Sequence, residues 1–508
     1  MPRRSAERLP AAASATYLRN VTAPLTPTAP FTPPAELPTT LGALRAAGHR
    51  YRPVKAEIRA NLLARLAAGE PTLPGIVGFD ETVVPEVERA LIAGHDMVLL
   101  GERGQGKTRL IRTLLGLLDE WTPILAGSEL NEHPEHPISV WGRRQLAEFG
   151  ESTPVSWLHR SERYGEKLAT PDTSVGDLIG DVDPIKVAEG RTLGDPETVH
   201  YGLVPRTNRG IFSVNELPDL AERIQVALLN VLEERDIQIR GYRLRLPLDL
   251  LLVASANPED YTNRGRIVTP LKDRFGAEVR THYPLELRDE LALLRQEAQT
   301  VWVEAGGHEQ PLVPEHLLEI IARYARLVRE SQHVDQRSGV SARFAIAALE
   351  TVAASAVRRA AITGEARAAA RVCDLPAVVA ANRGKVEFAD AGSDSDGERE
   401  LEILAHLLRR AVNETFRARL SGLDLSGLQE HFAGGEIVES GDLVPAARLL
   451  AQLGRVPRLA EMLGRLGVPE GEESPEQAAA AVELALEGLY LTRRLAKDTE
   501  GGRTVYGS

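Results

Sequence analysis

The run Met97-Val98-Leu99-Leu100 leads directly into Gly101-Glu102-Arg103-Gly104-Gln105-Gly106-Lys107-Thr108. This is G-x-x-x-x-G-K-S/T in the context it needs. An apolar strand runs in, and a helical stretch, Arg109 to Leu118, runs out. Glycines let the backbone curl so that successive N–H groups face phosphate oxygens. The following helix turns its positive end toward the same anion. Lys107 is spaced to reach the terminal phosphates and Thr108 to ligate magnesium. The eight residues Gly101, Glu102, Arg103, Gly104, Gln105, Gly106, Lys107 and Thr108 are therefore the candidate nucleotide-binding set.

The chain around this motif is ordinary in bulk. Its 508 residues are 43% hydrophobic and 26% charged, enough for about two to four domains. No apolar run approaches the ~20 residues that span a bilayer, so membrane insertion is not expected. Met1-Pro2-Arg3-Arg4 is not followed by a continuous apolar core, so no secretory signal is read and the expected location is cytoplasmic. The single cysteine, Cys373, excludes an intrachain disulfide and a cysteine-rich zinc site. It reads as a small buried apolar residue. A net charge of −12 argues against a general nucleic-acid coat, which needs a basic footprint.

Working outward, the strand signals are Met97–Leu100, Gly210–Val214 and Leu250–Ala254. Near-continuous apolar runs of this kind fit parallel strands buried on both faces, hence an α/β sandwich. Ile224, Ala227, Leu228, Val231 and Leu232 form one stripe of a helix over 221–235. Alternating Ile237, Ile239, Tyr242, Leu244 and Leu246, with Gly241 midway, read as a hairpin. The organisation that follows is a disordered Pro/Ala/Thr-rich leader over 1–40, with six prolines from Pro24 to Pro38, and a nucleotide-binding core over 41–288. A helical domain over 289–388, an acidic linker over 389–399 and a C-terminal helical region over 400–508 complete it. Within 129–170, His133, His136 and His159 accompany Trp141 and Trp157. Histidines at that spacing can hold zinc, but there is no cysteine partner. Pro134 and Pro137 favour an irregular surface or inter-subunit excursion instead.

A nucleotide hydrolase needs a carboxylate near the metal, a group that orients water, a sensor of the γ-phosphate and positive charge for the transition state. The chain offers these in order. Gly210-Ile211-Phe212-Ser213-Val214-Asn215-Glu216 is an apolar strand ending in a polar pair. Leu250 to Ala254 runs into Ser255-Ala256-Asn257-Pro258. Asp273-Arg274-Phe275 and Ser341-Ala342-Arg343 follow.

In this order the segments resemble the AAA+ ATPases, and within them the clade of the magnesium-chelatase small ATPase subunit and the MoxR-type ATPases. The resemblance covers about 75–385. Ile76-Val77-Gly78, the Walker A loop and Asn208-Arg209-Gly210-Ile211 before Asn215-Glu216 carry it, with Val231-Leu232-Glu233-Glu234, Ser255-Ala256-Asn257-Pro258 and Asp273-Arg274-Phe275-Gly276. It implies an AAA+ P-loop NTPase αβα sandwich followed by a helical lid, with additional C-terminal helices beyond the match. It implies ATP and magnesium (Mg2+) as cofactors and a homo-hexameric ring with ATP bound between subunits. Glu216 would activate water, Asn257 would sense the γ-phosphate, Arg274 would be the finger reaching a neighbour's ATP, and Arg343 would be the second sensor. An insert in the second core helix falls within 173–205, and the hairpin over about 236–247 precedes the first sensor. The implied activity is a motor that remodels or activates a partner, commonly a von Willebrand A-domain protein.

Three other readings stay open. A sigma-54-type transcriptional activator lacks support, since there is no Gly-Ala-Phe-Thr-Gly-Ala loop and no clear helix-turn-helix. A nucleic-acid motor runs against the acidic balance. A true magnesium-chelatase ATPase subunit runs against Asn215 and the extra C-terminal helices. The family pattern at the strand end is Asp-Glu, whereas this chain has Asn215-Glu216. Asparagine keeps an oxygen acceptor and loses the charge. Thr108 and Asn215 are thus the metal-side residues, with weaker magnesium affinity and weaker hydrolysis as the expectation.

Overall fold

A computed structural model describes residues 32–189, 198–233, 237–239, 242–244, 246–258, 266–300, 311–335, 338–389, 396–454, 456, 458–468, 474–500 and 503–508. The chain divides into two compact units, Met1–Gly101 with Gly106–Thr281, and Glu102–Gln105 with His282–Ser508.

The first unit is built on β1 (Met97–Leu100), β2 (Tyr164–Leu168), β3 (Gly210–Asn215), β4 (Leu250–Ala256) and β5 (Ala277–Arg280). All are parallel, in the order β5-β1-β4-β3-β2. Side chains on successive strand residues point to opposite faces, and the apolar runs divide accordingly. Val98, Leu100, Phe212, Val214, Leu252 and Ala254 join one buried cluster with Ile224, Leu228 and Val231 of α3 (Glu222–Glu233). Met97, Leu99, Ile211, Leu251 and Val253 join another, with Val83, Val87 and Leu91 of α1 (Val83–Ala93) and Leu110 and Ile111 of α2 (Lys107–Thr113). Helices therefore cover both faces, which is the αβα sandwich the apolar runs predict.

Several expectations need correction. The stretch 129–170 is not an irregular surface excursion. It supplies β2, an edge strand, and Val155–His159, which pairs antiparallel with Trp121–Leu125. His133 is 1% exposed. It stacks on His49 with ring centroids 5.3 Å apart and Nε2 atoms 3.1 Å apart. No cluster of three metal-ligating side chains occurs among the described residues. β2 escapes sequence reading because Glu166 and Lys167 interrupt any apolar run, and only Gly165 in it is buried.

The leader expected over 1–40 is too long. Residues 1–31 lie outside the described part, but Pro38 O accepts from Trp157 Nε1 at 2.8 Å and Thr39 O from Val155 N at 2.9 Å. Thr40 then caps the helix Leu41–Ala46. Proline-rich composition does not disclose two backbone carbonyls docked on a hairpin.

The second unit gathers α4 (Glu315–Arg329), α5 (Ala342–Thr363), α6 (Asp396–Leu420) and α7 (Pro475–Leu491) around one apolar core. α7 starts at a Ser474/Gln477 capping box and is buried from Ala478 to Leu489. Of the acidic linker, 390–395 lie outside the described residues, and Asp396–Arg399 already belong to α6. The C-terminal region is not helical alone. Val438–Gly441, Arg503–Gly507 and Ala496–Glu500 form a three-stranded antiparallel sheet. Its polar strand Ala-Lys-Asp-Thr-Glu gives no apolar signal. Cys373 is half-buried where the sequence reading expects a buried residue, and burial, then Glu483, pushes its thiol well above its usual range. Among the described residues no helix is long and apolar enough to cross a membrane.

Candidate functional site

Ligands of open parallel sheets bind outside the carboxyl ends of the strands. There the first unit converges its polar side chains. β1 ends at Leu100, and Gly101 N donates to Ala256 O of β4 at 3.2 Å, fixing where the loop starts. Gly104 (φ 73°) and Gly106 (φ 77°) both lie in the left-handed region. A side chain there costs about 1–2 kcal/mol, which is the physical reason for glycine at these two places. α2 begins at Lys107.

Lys107 is only 8% exposed. Its Nζ donates to Gly101 O and, at 2.8 Å, to Asn257 Oδ1 just beyond β4. Asn257 Nδ2 donates in turn to Glu216 Oε2 at 2.6 Å. Glu216 is a non-glycine residue at φ 55°, and its N–H donates to Ser255 Oγ at 3.3 Å. Backbone strain of this kind concentrates at functional positions. The chain Lys107–Asn257–Glu216 thus joins residues from three separate segments across β1, β4 and β3.

A second group lies on the β2 side. Asn215 Nδ2 donates to Glu166 Oε1 at 2.6 Å. Glu166 Oε2 accepts from Arg112 Nε and Nη2 at 3.1 and 2.8 Å. That hydrogen bond raises the already high pKa of Arg112. Asn215 Oδ1 accepts from Ser255 Oγ at 3.3 Å and Ser213 Oγ at 3.4 Å. Burial pushes the neighbouring Tyr164 phenol up to about 12, so it stays protonated.

Arg274 and Arg343 are the other sequence-predicted residues. Arg274 ends the helix Thr269–Arg274, its side chain 38% exposed and 2.9 Å from Asp273 Oδ2. Arg343 is exposed on the first turn of α5 in the second unit. Within that same unit, the loop residues Glu102–Gln105 meet the start of α5, where a Cβ on Gly104 would come 1.9 Å from Ser341 Oγ. Asn208 and Arg209, quoted in the motif before β3, hold the fold together. Asn208 Nδ2 donates to Leu130 O at 2.8 Å, and Arg209 reaches Pro123 O and Thr122 Oγ1, each at 2.6 Å.

No family model matches the chain. Among curated proteins it is similar to magnesium-chelatase subunit ChlI of Guillardia theta, 31% identical over 207 residues, covering 40% of this chain and 55% of that protein. It is also similar to magnesium-chelatase subunit ChlI of Anabaena variabilis, 29% identical over 236 residues, covering 44% of this chain and 64% of that protein. Over that stretch the chain is similar to AAA+ ATPases. It spans between 55% and 64% of the length of those two relatives. Among solved structures, NtrX from Brucella abortus in complex with ADP aligns over 73% of this chain and 68% of that one, at 14% identity and a TM-score of 0.39.

The donors of the site suit the nucleotide and cation that AAA+ ATPases use. Two left-handed glycines, Gly104 and Gly106, curl the loop, and a buried ammonium and a threonine hydroxyl follow. Beyond them the side-chain acceptors are oxygens of Asn215, Glu216 and Asn257, the ligand type a hard cation such as magnesium takes. Sequence reading missed Glu166, Arg112 and the roles of Ser213 and Ser255. No sequence signal marks Glu166, because its strand carries no apolar pattern.

Proposed function

We propose that this chain binds ATP with magnesium at the loop Gly101–Thr108 and hydrolyses it. The hydrogen-bonded chain Lys107–Asn257–Glu216 is the observation that carries the reading. Lys107 would hold the β- and γ-phosphates, and Thr108 and Asn215 would face the cation. When bound, the cation would neutralise charge on the terminal phosphates. Glu216, half-buried and held by Asn257, would orient the attacking water and take its proton. Asn257 touches both Lys107 and Glu216. A γ-phosphate competing for the Lys107 ammonium would therefore be felt at Glu216 through one side chain.

Arg274 lies on the surface of the first unit, which supports a role toward a neighbouring subunit's nucleotide. Arg343 is assigned as the second sensor on its motif position. With these assignments the protein works as a homo-hexameric ring. The turnover of ATP remodels or activates a partner protein, and a von Willebrand A-domain protein is the partner class the family points to. The magnesium-chelatase relatives favour a second reading, an ATPase subunit for magnesium insertion. Restored magnesium insertion, on adding this protein to the other subunits of such an enzyme, would select it.

The first reading is tested by calorimetric titration of ATP into wild type and Lys107→Ala. We expect binding in the wild type and a loss of at least about a hundredfold in the variant, the size of effect expected when a buried charge contact worth about 3 kcal/mol is removed. Equal affinities would overturn the site.

A further inference from the structure

Asn215 stands where the family pattern has aspartate, and the neighbouring strand supplies a reason. Glu166 of β2 lies in register opposite Ser213 of β3, two residues before Asn215. Its Oε1 is 2.6 Å from Asn215 Nδ2. Its other oxygen is held by Arg112. Arg112 lies four residues after Thr108 on α2, and residues four apart share one helix face. The Glu166 carboxylate is thus anchored to the helix face that carries the metal-side threonine.

The contact fixes the asparagine amide. Its nitrogen faces Glu166, and its oxygen faces Ser255 and Ser213. Turning the amide over would bring two oxygens within 2.6 Å of each other. Aspartate at this position would do the same with a full charge on each partner, and like charges in contact repel strongly in a mostly buried site. An amide and a carboxylate together carry one negative charge, as a lone aspartate would. Arg112 pairs with Oε2 of that carboxylate, which leaves Oε1 as the oxygen that meets the amide.

We propose that Glu166 is a positioning residue for the nucleotide's divalent cation. It locks Asn215 so that Oδ1 is the atom offered toward the cation's shell, and it places a carboxylate of β2 beside the asparagine. This rests on the magnesium–nucleotide reading given above. It also reverses the expectation from sequence alone, in which Asn215→Asp strengthens cation binding.

The experiment uses the full chain and two readouts: ATP affinity in EDTA, and Mn2+ affinity of the protein–nucleotide complex by electron paramagnetic resonance. Glu166→Gln is expected to leave ATP affinity in EDTA unchanged and to weaken Mn2+ by about tenfold or more, the usual effect of removing a group that orients a metal ligand. Asn215→Asp alone is expected to weaken Mn2+ as well, since two carboxylates then share one contact. The double variant Asn215→Asp/Glu166→Gln restores one charge and one amide in swapped places, and its Mn2+ affinity is expected to return toward wild type. A merely structural Glu166 would give no such rescue. Unchanged Mn2+ affinity in Glu166→Gln, tighter Mn2+ in Asn215→Asp, or a double variant no better than either single one would overturn the proposal. Failure of the wild type to bind ATP in EDTA would instead overturn the nucleotide reading itself.

Discussion

Asn257 Nδ2 donates to Glu216 Oε2 at 2.6 Å, so the side chain that meets Lys107 also sets the angle of the carboxylate. Removing the amide should leave Lys107 and the loop in place while releasing Glu216. For Asn257→Ala we expect ATP affinity within the range of wild type and kcat lower by about a hundredfold, the scale of losing one oriented donor at a reacting centre. Paired titration and phosphate-release measurements check this. A fall in affinity with kcat intact would make Asn257 a binding group.

Glu216 is the carboxylate that this arrangement orients. In the proposed role its charge serves proton transfer and not the holding of phosphates, so Glu216→Gln should bind ATP and fail to turn it over. We expect a loss of about a hundredfold to ten-thousandfold in kcat, the usual contribution of a general base. Single-turnover assays with filter-bound ATP separate the two steps. Near-wild-type turnover would place the base elsewhere.

The core was legible where burial on both faces writes an apolar run. β1, β3 and β4 read directly as Met97-Val98-Leu99-Leu100 and its counterparts, and the residues at their ends include Asn215, Glu216 and Asn257. The edge strand β2 was not legible, because an edge exposes polar residues and Glu166 serves a contact rather than the core. The left-handed φ of Glu216 likewise has no sequence signature, since no glycine stands there. Asn215 was visible as a departure from pattern, but its hydrogen-bond partner is 49 residues away and only the parallel pairing of β2 with β3 brings them together.

The stacked pair of buried His133 and half-buried His49 gives a pH dependence with a definite sign. Burial, then Arg209, pushes His133 down to about 2 from its ordinary 6.5. Burial also lowers His49, stacked on it. Between those pH values the unfolded chain binds a proton that the folded one excludes, so His133 costs nothing above pH 6.5 and stability falls as pH drops through it. The slope for one such group is about 1.4 kcal/mol per pH unit. We expect wild type to lose about 2 kcal/mol from this source between pH 6.5 and 5, and His133→Gln to show a shallower acid limb. Urea unfolding followed by tryptophan fluorescence checks it, because Trp157 lies edge-on to His49 with centroids 6.5 Å apart. Parallel acid limbs would mean the imidazole takes up its proton without unfolding.

Arg274 tests whether two subunits build one site. It ends the helix Thr269–Arg274, and its Nη1 lies 2.9 Å from Asp273 Oδ2 at the surface. An exposed pair of that kind is worth at most about 1 kcal/mol, so it does not prevent the guanidinium from engaging a phosphate presented by a neighbour. An arginine finger acts on charge developing in the transition state and contributes about a thousandfold or more to turnover. Arg274→Ala should therefore bind ATP normally and hydrolyse it poorly. Lys107→Ala should fail for the opposite reason, having an intact finger and no nucleotide. If the site is shared, an assembly mixing the two holds interfaces where an intact loop faces an intact Arg274. Mixed subunits should then regain part of the wild-type rate, with a maximum at an intermediate ratio. Differently tagged variants co-purified in one assembly establish that mixing has occurred. Mixed assemblies without activity at any ratio would mean that Arg274 acts within its own chain or not at all.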